Sequence, residues 1–212
     1  MNRNKLKLTL LLLAAALPVS LATWVFGVRE MNGVTATSNR GQLVIPVMDI
    51  TELDMRDEQG QPMFVTFEES VADIALEDYE PRPWMLIYLG NENCDKNCDE
   101  RLYYLRQLHR RLSSESDRVE RFYINAGQTE LDQRTHTMFA EAFPEMKVGK
   151  SDSAILMNNL QRTVPENVDP VNSHYIYVAD PLGNVMLYFT PENTTEEIFK
   201  DIDKLLDQSS VG

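Results

Sequence analysis

A mixed α/β domain behind an apolar N-terminal segment is the fold class this sequence predicts, on three observations. Short apolar runs closed by turn formers alternate with stretches of helical period along most of the chain. The only two cysteines among 212 residues, Cys94 and Cys98, stand where one such run gives way to a helix. Leu8–Val28 is about 21 residues without a charge, enough to cross a hydrocarbon core of ~30 Å.

The apolar segment is oriented by its flank. Arg3, Lys5 and Lys7 precede it with no acid among the first seven residues, which puts the N-terminus in the cytoplasm and the bulk of the chain across the membrane. Pro18 is tolerable inside a membrane helix. Ser20-Leu21-Ala22 would serve as a small-x-small cleavage site, the alternative being a removed signal peptide. The apolar run continues past it through Trp24, Val25, Phe26 and Val28, and Trp24 suits the outer interface. The expectation is an uncleaved anchor. The chain divides into a cytoplasmic N-terminus (1–7), a transmembrane anchor (8–28), a polar tether (29–44), a folded domain (45–207) and a short tail (208–212). The formal charge of −13 becomes −16 without the three N-terminal cations. An acidic surface of that size argues against nucleic-acid partners, whose phosphates need a basic face, and names no other.

Gln42–Pro46 reads as a short strand or an extended arm. Met55–Met63 reads as a hairpin tip turning at Gly60, with Phe64–Phe67 as the returning strand. Glu68–Pro83 is acidic and of weak period, with room for one short helix. Met85–Leu89 is a buried strand, closed by Gly90 and Asn91-Glu92-Asn93. Leu102, Leu105, Leu108 and Leu112 then recur three or four apart with arginines mostly between them, the mark of an amphipathic helix. Val119–Asn125 is a second apolar strand. Helices are expected over Thr129–Ala142, stopping before Pro144, and over Ser151–Arg162, with Asp152 or Ser151 as cap. Pro165–Ser173 is loop. His174–Ala179 and Asn184–Phe189 flank Asp180-Pro-Leu-Gly183 as a hairpin, and Thr194–Asp207 closes the chain as a helix with the capping box Thr194-x-x-Glu197. The first strand-helix-strand unit demands a parallel pair by a right-handed crossover, and the hairpin adds antiparallel strands to the same sheet. This is the order of a thioredoxin fold: a central mixed sheet flanked by helices, here with an N-terminal transmembrane helix.

The cysteine placement has chemical consequences. A helix's first turn offers unpaired N–H groups and the positive end of the macrodipole, so a thiol there loses its proton more readily. Spacing i, i+4 puts both sulfurs on one face, within reach of a disulfide or a shared metal. Cys94 precedes the helix and is expected to face solvent as the more reactive thiol, with Cys98 shielded one turn in. The alternative is an inert staple or two buried thiols. A loop of three residues constrains little of the unfolded chain, which favours chemistry.

Strand, Cys94-x-x-x-Cys98 and helix, followed late by Tyr177-x-x-Asp180-Pro181-x-Gly183, resembles the Sco/SenC thioredoxin-like proteins. Leu53-Asp-Met-Arg-Asp-Glu-Gln-Gly60-Gln-Pro is similar to the early hairpin of that family, and the resemblance covers about residues 45–207. It implies a periplasmic protein, held in the bacterial inner membrane by one pass, that handles copper or cysteine thiols during assembly of the copper site of cytochrome c oxidase. Oxidase subunits or assembly factors would be its partners. The pattern looks closer still to an uncharacterised group of anchored thioredoxin-like proteins that accompany bacterial oxidase assembly factors, which brings no activity with it. Two positions depart from the Sco pattern. Asp99 stands where that family has Pro after the second Cys, an acid that works against a thiolate at Cys98. The family's copper-ligand His falls at Asn172, whereas this chain has His174. In a strand His174 would share the face of residue 172 but lie roughly 6–7 Å further along. A Cu(I) site of Cys94, Cys98 and His174, all soft or borderline donors, therefore requires a shortened or bulged loop. Without one, two sulfurs remain.

Other candidates carry less. His109 lies eleven residues after Cys98, about 16 Å up the helix, and reads as a surface residue. His136 sits on the polar part of a helix. Met48, Met55 and Met63 are core filler before they are Cu(I) ligands. C-x₃-C is not the C-x-x-C of general oxidoreductases, and no Gly-rich phosphate loop or Ser/His/Asp set is present. Three functions remain: an assembly factor using Cys94 and Cys98 for copper transfer or thiol reduction, an enzyme of thiol–disulfide exchange with another periplasmic client, and a non-catalytic tethered binding module with a structural disulfide. The anchor itself is testable. N-terminal sequencing of membrane-extracted protein is expected to find the apolar run intact, and a chain starting at Thr23 would overturn that expectation.

Overall fold

The computed structural model describes residues 16–18, 20, 24, 39–72 and 81–209, in two units that divide between Ser38 and Asn39. Most of the expected anchor and tether, and part of the acidic stretch (73–80), lie outside the described residues. Residues 16–18, 20 and 24 are helical; among the described residues no helix is long and apolar enough to cross a membrane.

The second unit is built on strands β1 (Gln42–Asp49), β2 (Trp84–Gly90), β3 (Val119–Asn125), β4 (Lys147–Lys150), β5 (Ile176–Ala179) and β6 (Asn184–Phe189). Its α-helices are α1 (Phe67–Val71), α2 (Lys96–Leu112), α3 (Gln133–Ala142), α4 (Ser153–Leu160) and α5 (Thr195–Gln208). The strands form one mixed sheet in the order β1-β6-β5-β2-β3-β4. β3 runs parallel to β2 and to β4, while β5 is antiparallel to β2 and β6, and β1 antiparallel to β6. The parallel unit around the cysteines and the antiparallel hairpin are as the sequence order requires. The architecture is a thioredoxin-like α/β fold.

All seven residues of β2 are buried, which is why the run shows no polar alternation. Leu86 and Tyr88 enter a core shared with Leu102, Leu105 and Leu108 of α2 and Ile198, Ile202 and Leu206 of α5. Met85, Ile87 and Leu89 enter the opposite core, against Leu156 and Leu160 of α4, Ile50 and Leu53. Met48 and Met55 are buried there and Met63 packs beside them, so these methionines fill the core. The β5–β6 turn closes as its residues demand: Gly183 takes φ +95° and its N–H bonds the Asp180 carbonyl, while the Asp180 carboxylate accepts the Asn184 N–H at 2.8 Å.

Several element readings need correction. Phe64–Phe67 is not a strand. Arg56 bridges Pro62 to close the hairpin tip, but Thr66 and Glu69 then form a capping box that opens α1. The third helix begins at Gln133 rather than Thr129, because Asp132 caps it and donates its own N–H to the Glu92 carbonyl. β4 has no counterpart in the sequence reading: Lys147-Val-Gly-Lys150 lacks an apolar run, and the strand forms because β3 offers an edge and Arg56 pairs with Lys150. β5 starts at Ile176, two residues later than expected, for a reason that belongs to the site.

At the entry to the folded unit, buried Asp201 of α5 accepts the N–H groups of Arg40 (2.6 Å) and Gly41 (2.8 Å). Asp201→Ala would orphan both donors. It should lower unfolding stability by roughly 2–4 kcal/mol, read from urea melts of the detergent-solubilised chain; a loss too small to measure would show that the clamp contributes nothing.

Candidate functional site

The cysteines lie at the junction of β2 and α2, joined by a disulfide with Cα atoms 5.2 Å apart. Asp95 caps the helix, accepting the Cys98 N–H at 2.8 Å, so Cys98 is the third residue of the first turn. The Cys94 N–H donates to Thr135 Oγ1 of α3 at 3.1 Å. That bond draws the loop under α3, and both cysteines are buried, at 4% and 3% exposure. The expected contrast between a solvent-facing Cys94 and a shielded Cys98 is therefore wrong. A bond from a helix forty residues downstream was not visible in local sequence.

His174 is not in a strand. It precedes β5 with φ +55°, a left-handed backbone that shortens β5 and turns the side chain. The imidazole Nδ1 lies 2.7 Å from the Tyr88 hydroxyl, and the two ring planes are within 15° of parallel, joined end to end by this bond. His174 lines a cleft of about 280 Å³ with Cys98, Tyr88, Asp95 and Asn172. The left-handed turn thus places His174 at the cleft that Cys98 lines, while Cys94 is not among its lining residues. Asn172 is occupied elsewhere: its side chain donates to Asp169 at 2.8 Å and accepts from Asn91 at 3.1 Å. Burial would raise the Asp169 carboxyl, but hydrogen bonds from Asn172 and Val171 more than offset it and hold the group below its usual range.

The electrostatic setting is mixed. The α2 N-terminus favours an anion, yet Asp95 and Asp99 stand beside Cys98. One turn on, Arg101 is buried at 4% exposure; its Nη2 reaches the Thr190 carbonyl at 3.2 Å, while Nε and Nη1 find no partner among the described residues. Burial lowers its pKa, partly countered by Tyr88. Tyr88 and Tyr123 are both pushed up by burial and stay protonated phenols. Tyr123 donates to the Asn91 carbonyl at 2.5 Å, and this hydroxyl fills the space where a Cβ on Gly90 would stand.

Tyr88, Arg101, Asp95 and Thr135 were missed as site residues. Two signals were legible: a hydroxyl inside an otherwise apolar strand, and an arginine in line with buried leucines. His109 lies 3.7 Å from Glu145, its pKa lowered by burial and by Arg121, away from the cysteines. His136 lines a separate groove with Glu58, Leu131 and Val148. Among the described residues no three or more His, Cys, Asp or Glu gather as ligands around a metal do.

Asp95→Asn keeps an N-cap but removes the acid next to Cys98. In the reduced chain this should lower the pH at which Cys98 alkylates by several tenths of a unit or more, measured from alkylation rates against pH. An unchanged profile would show that the Asp95 charge does not reach the sulfur.

The family described as "Transmembrane-like, thioredoxin-like, C-terminal domain" matches residues 84–209. No curated protein matches the sequence. Among solved structures, Arabidopsis thaliana ScoI with copper bound superposes with a TM-score of 0.51 at 14% identity, over 82% of this chain and 100% of that one. Yeast Sco1 with copper bound gives 0.52 at 15% identity, over 73% and 90%. Apo Sco1 from Thermus thermophilus gives 0.50 at 15%, over 79% and 96%. At these identities the likeness is one of fold. With more than half of the chain matched, from β2 to the end of α5, the chain belongs to the transmembrane-like, thioredoxin-like C-terminal domain family and carries the fold of the Sco proteins.

Proposed function

We propose that this chain is a membrane-anchored periplasmic factor that works through Cys94 and Cys98 in the assembly of cytochrome c oxidase, with copper as cargo. The observation that carries the reading is a disulfide-bonded C-x₃-C pair whose Cys98 lines one cleft with His174, in a Sco-like thioredoxin fold. The motif resemblance supplies the oxidase, the apolar N-terminal run supplies the anchor, and its basic flank sets the orientation.

Thiol exchange here starts once a donor dithiol has reduced the Cys94–Cys98 disulfide, passing it two electrons and two protons and itself closing to a disulfide. In the reduced pair one thiolate attacks a client disulfide and releases one client sulfur as thiolate. The second thiol of the pair, deprotonated, then attacks the mixed disulfide, so two electrons pass to the client and Cys94–Cys98 closes. The same reduced pair, with His174, is a donor set for Cu(I). Burial of both sulfurs favours a second reading, a tethered binding module whose disulfide is structural.

Cys94→Ser and Cys98→Ser separate these readings. On a working pair, one single variant should accumulate a mixed disulfide with its client, seen as a band lost on reduction, and the double variant should leave the oxidase short of copper. Full oxidase copper with both cysteines replaced would overturn the proposal and select the binding module. Anaerobic Cu(I) titration of the reduced chain should find one ion per chain, bound several-fold more weakly by His174→Ala.

A further inference from the structure

We propose that Tyr88 is a positioning residue that decides which nitrogen of His174 carries the proton, and so makes this imidazole a weaker Cu(I) ligand. This rests on the reading of Cys94, Cys98 and His174 as one working site. Tyr88 has no exposed surface, and a buried phenol O–H needs an acceptor. Among the described residues its one hydrogen bond is to His174 Nδ1, at 2.7 Å. A neutral imidazole has one N–H and one lone pair. If the phenol donates, Nδ1 is the acceptor and the proton is on Nε2. His174 then presents an N–H donor, with no lone pair, at its free nitrogen.

The opposite arrangement has a defect. With the proton on Nδ1, the imidazole donates to the Tyr88 oxygen, and the phenol proton loses its one protein acceptor among the described residues. The charged neighbours do not help: Arg101 is a donor only, and no hydrogen bond joins Asp95 to Tyr88. Either nitrogen can ligate copper only after this bond is lost or reversed. Nδ1 must shed the phenol; Nε2 must pass its proton to Nδ1 and leave the Tyr88 O–H without an acceptor. Metal-bound histidines ordinarily donate their second N–H to a carbonyl, carboxylate or water, and Tyr88 offers the reverse polarity.

The chain has three histidines, so 15N-histidine labelling of the oxidised full chain in detergent gives three ring systems, and His174→Ala identifies the one that matters. Long-range 1H–15N spectra should show bare Nδ1 and protonated Nε2 at His174. A spectrum with the proton on Nδ1 overturns the proposal, and that measurement requires no Tyr88 variant. Tyr88→Phe removes the constraint. It should bind Cu(I) roughly tenfold more tightly than wild type when reduced, a gain that disappears with His174→Ala. Weaker binding by Tyr88→Phe would instead make Tyr88 a support for the ligand and would also overturn the proposal. If neither protein binds Cu(I), copper delivery falls, while the wild-type spectrum still decides the tautomer.

Discussion

Everything in the folded unit is referred to one constraint, the burial of β2 on both faces and both edges. Its side chains alternate between two cores, and its backbone is bonded to β3 on one side and β5 on the other. A strand so enclosed cannot slip by one residue without exchanging Tyr88 and Ile87 between cores. Its end is consequently a fixed point. From that point the chain must leave through Gly90, where Tyr123 permits no side chain, and start α2 at the Asp95 cap. The cysteine pair inherits its position from this geometry.

The three walls of the cleft come from separate parts of the sequence and are held by different means. β2 supplies Tyr88 by packing, α2 supplies Cys98 by a capped helix start, and the segment before β5 supplies His174 by a left-handed turn. Asn91 and Asn172 join two of these walls directly across the mouth, and Asp169 braces Val171 and Asn172 through three bonds. A client would meet a polar rim over buried sulfurs. Chemistry at the pair would require the rim or the cap to give way by local opening.

Elements with a strong period were legible in the sequence to within a residue or two. β3 and β6 match their expected limits, and α5 starts one residue later because Thr194 is its cap and ends one residue later at Gln208. What could not be read depends on distant partners. β4 is a strand because β3 and Arg56 flank it, and Cys94 is buried because Thr135 holds its N–H. The site was half legible. The cysteines and His174 stand out by residue type, whereas the Tyr88–His174 contact joins residues 86 apart and depends on the sheet order and on the left-handed backbone at His174.

The left-handed backbone at His174 also bears on how this position can drift. A φ of +55° is tolerated by Gly and Asn, and less easily by Asp or His, but is costly for β-branched or bulky apolar residues. Genetic change at residue 174 is therefore steered toward small or polar replacements. A descendant that lost the imidazole would keep a hydrophilic cleft mouth over the cysteine pair and would be hard pressed to seal it with valine or isoleucine. The backbone thus keeps a polar rim above the buried sulfurs even where the side chain there is no longer selected.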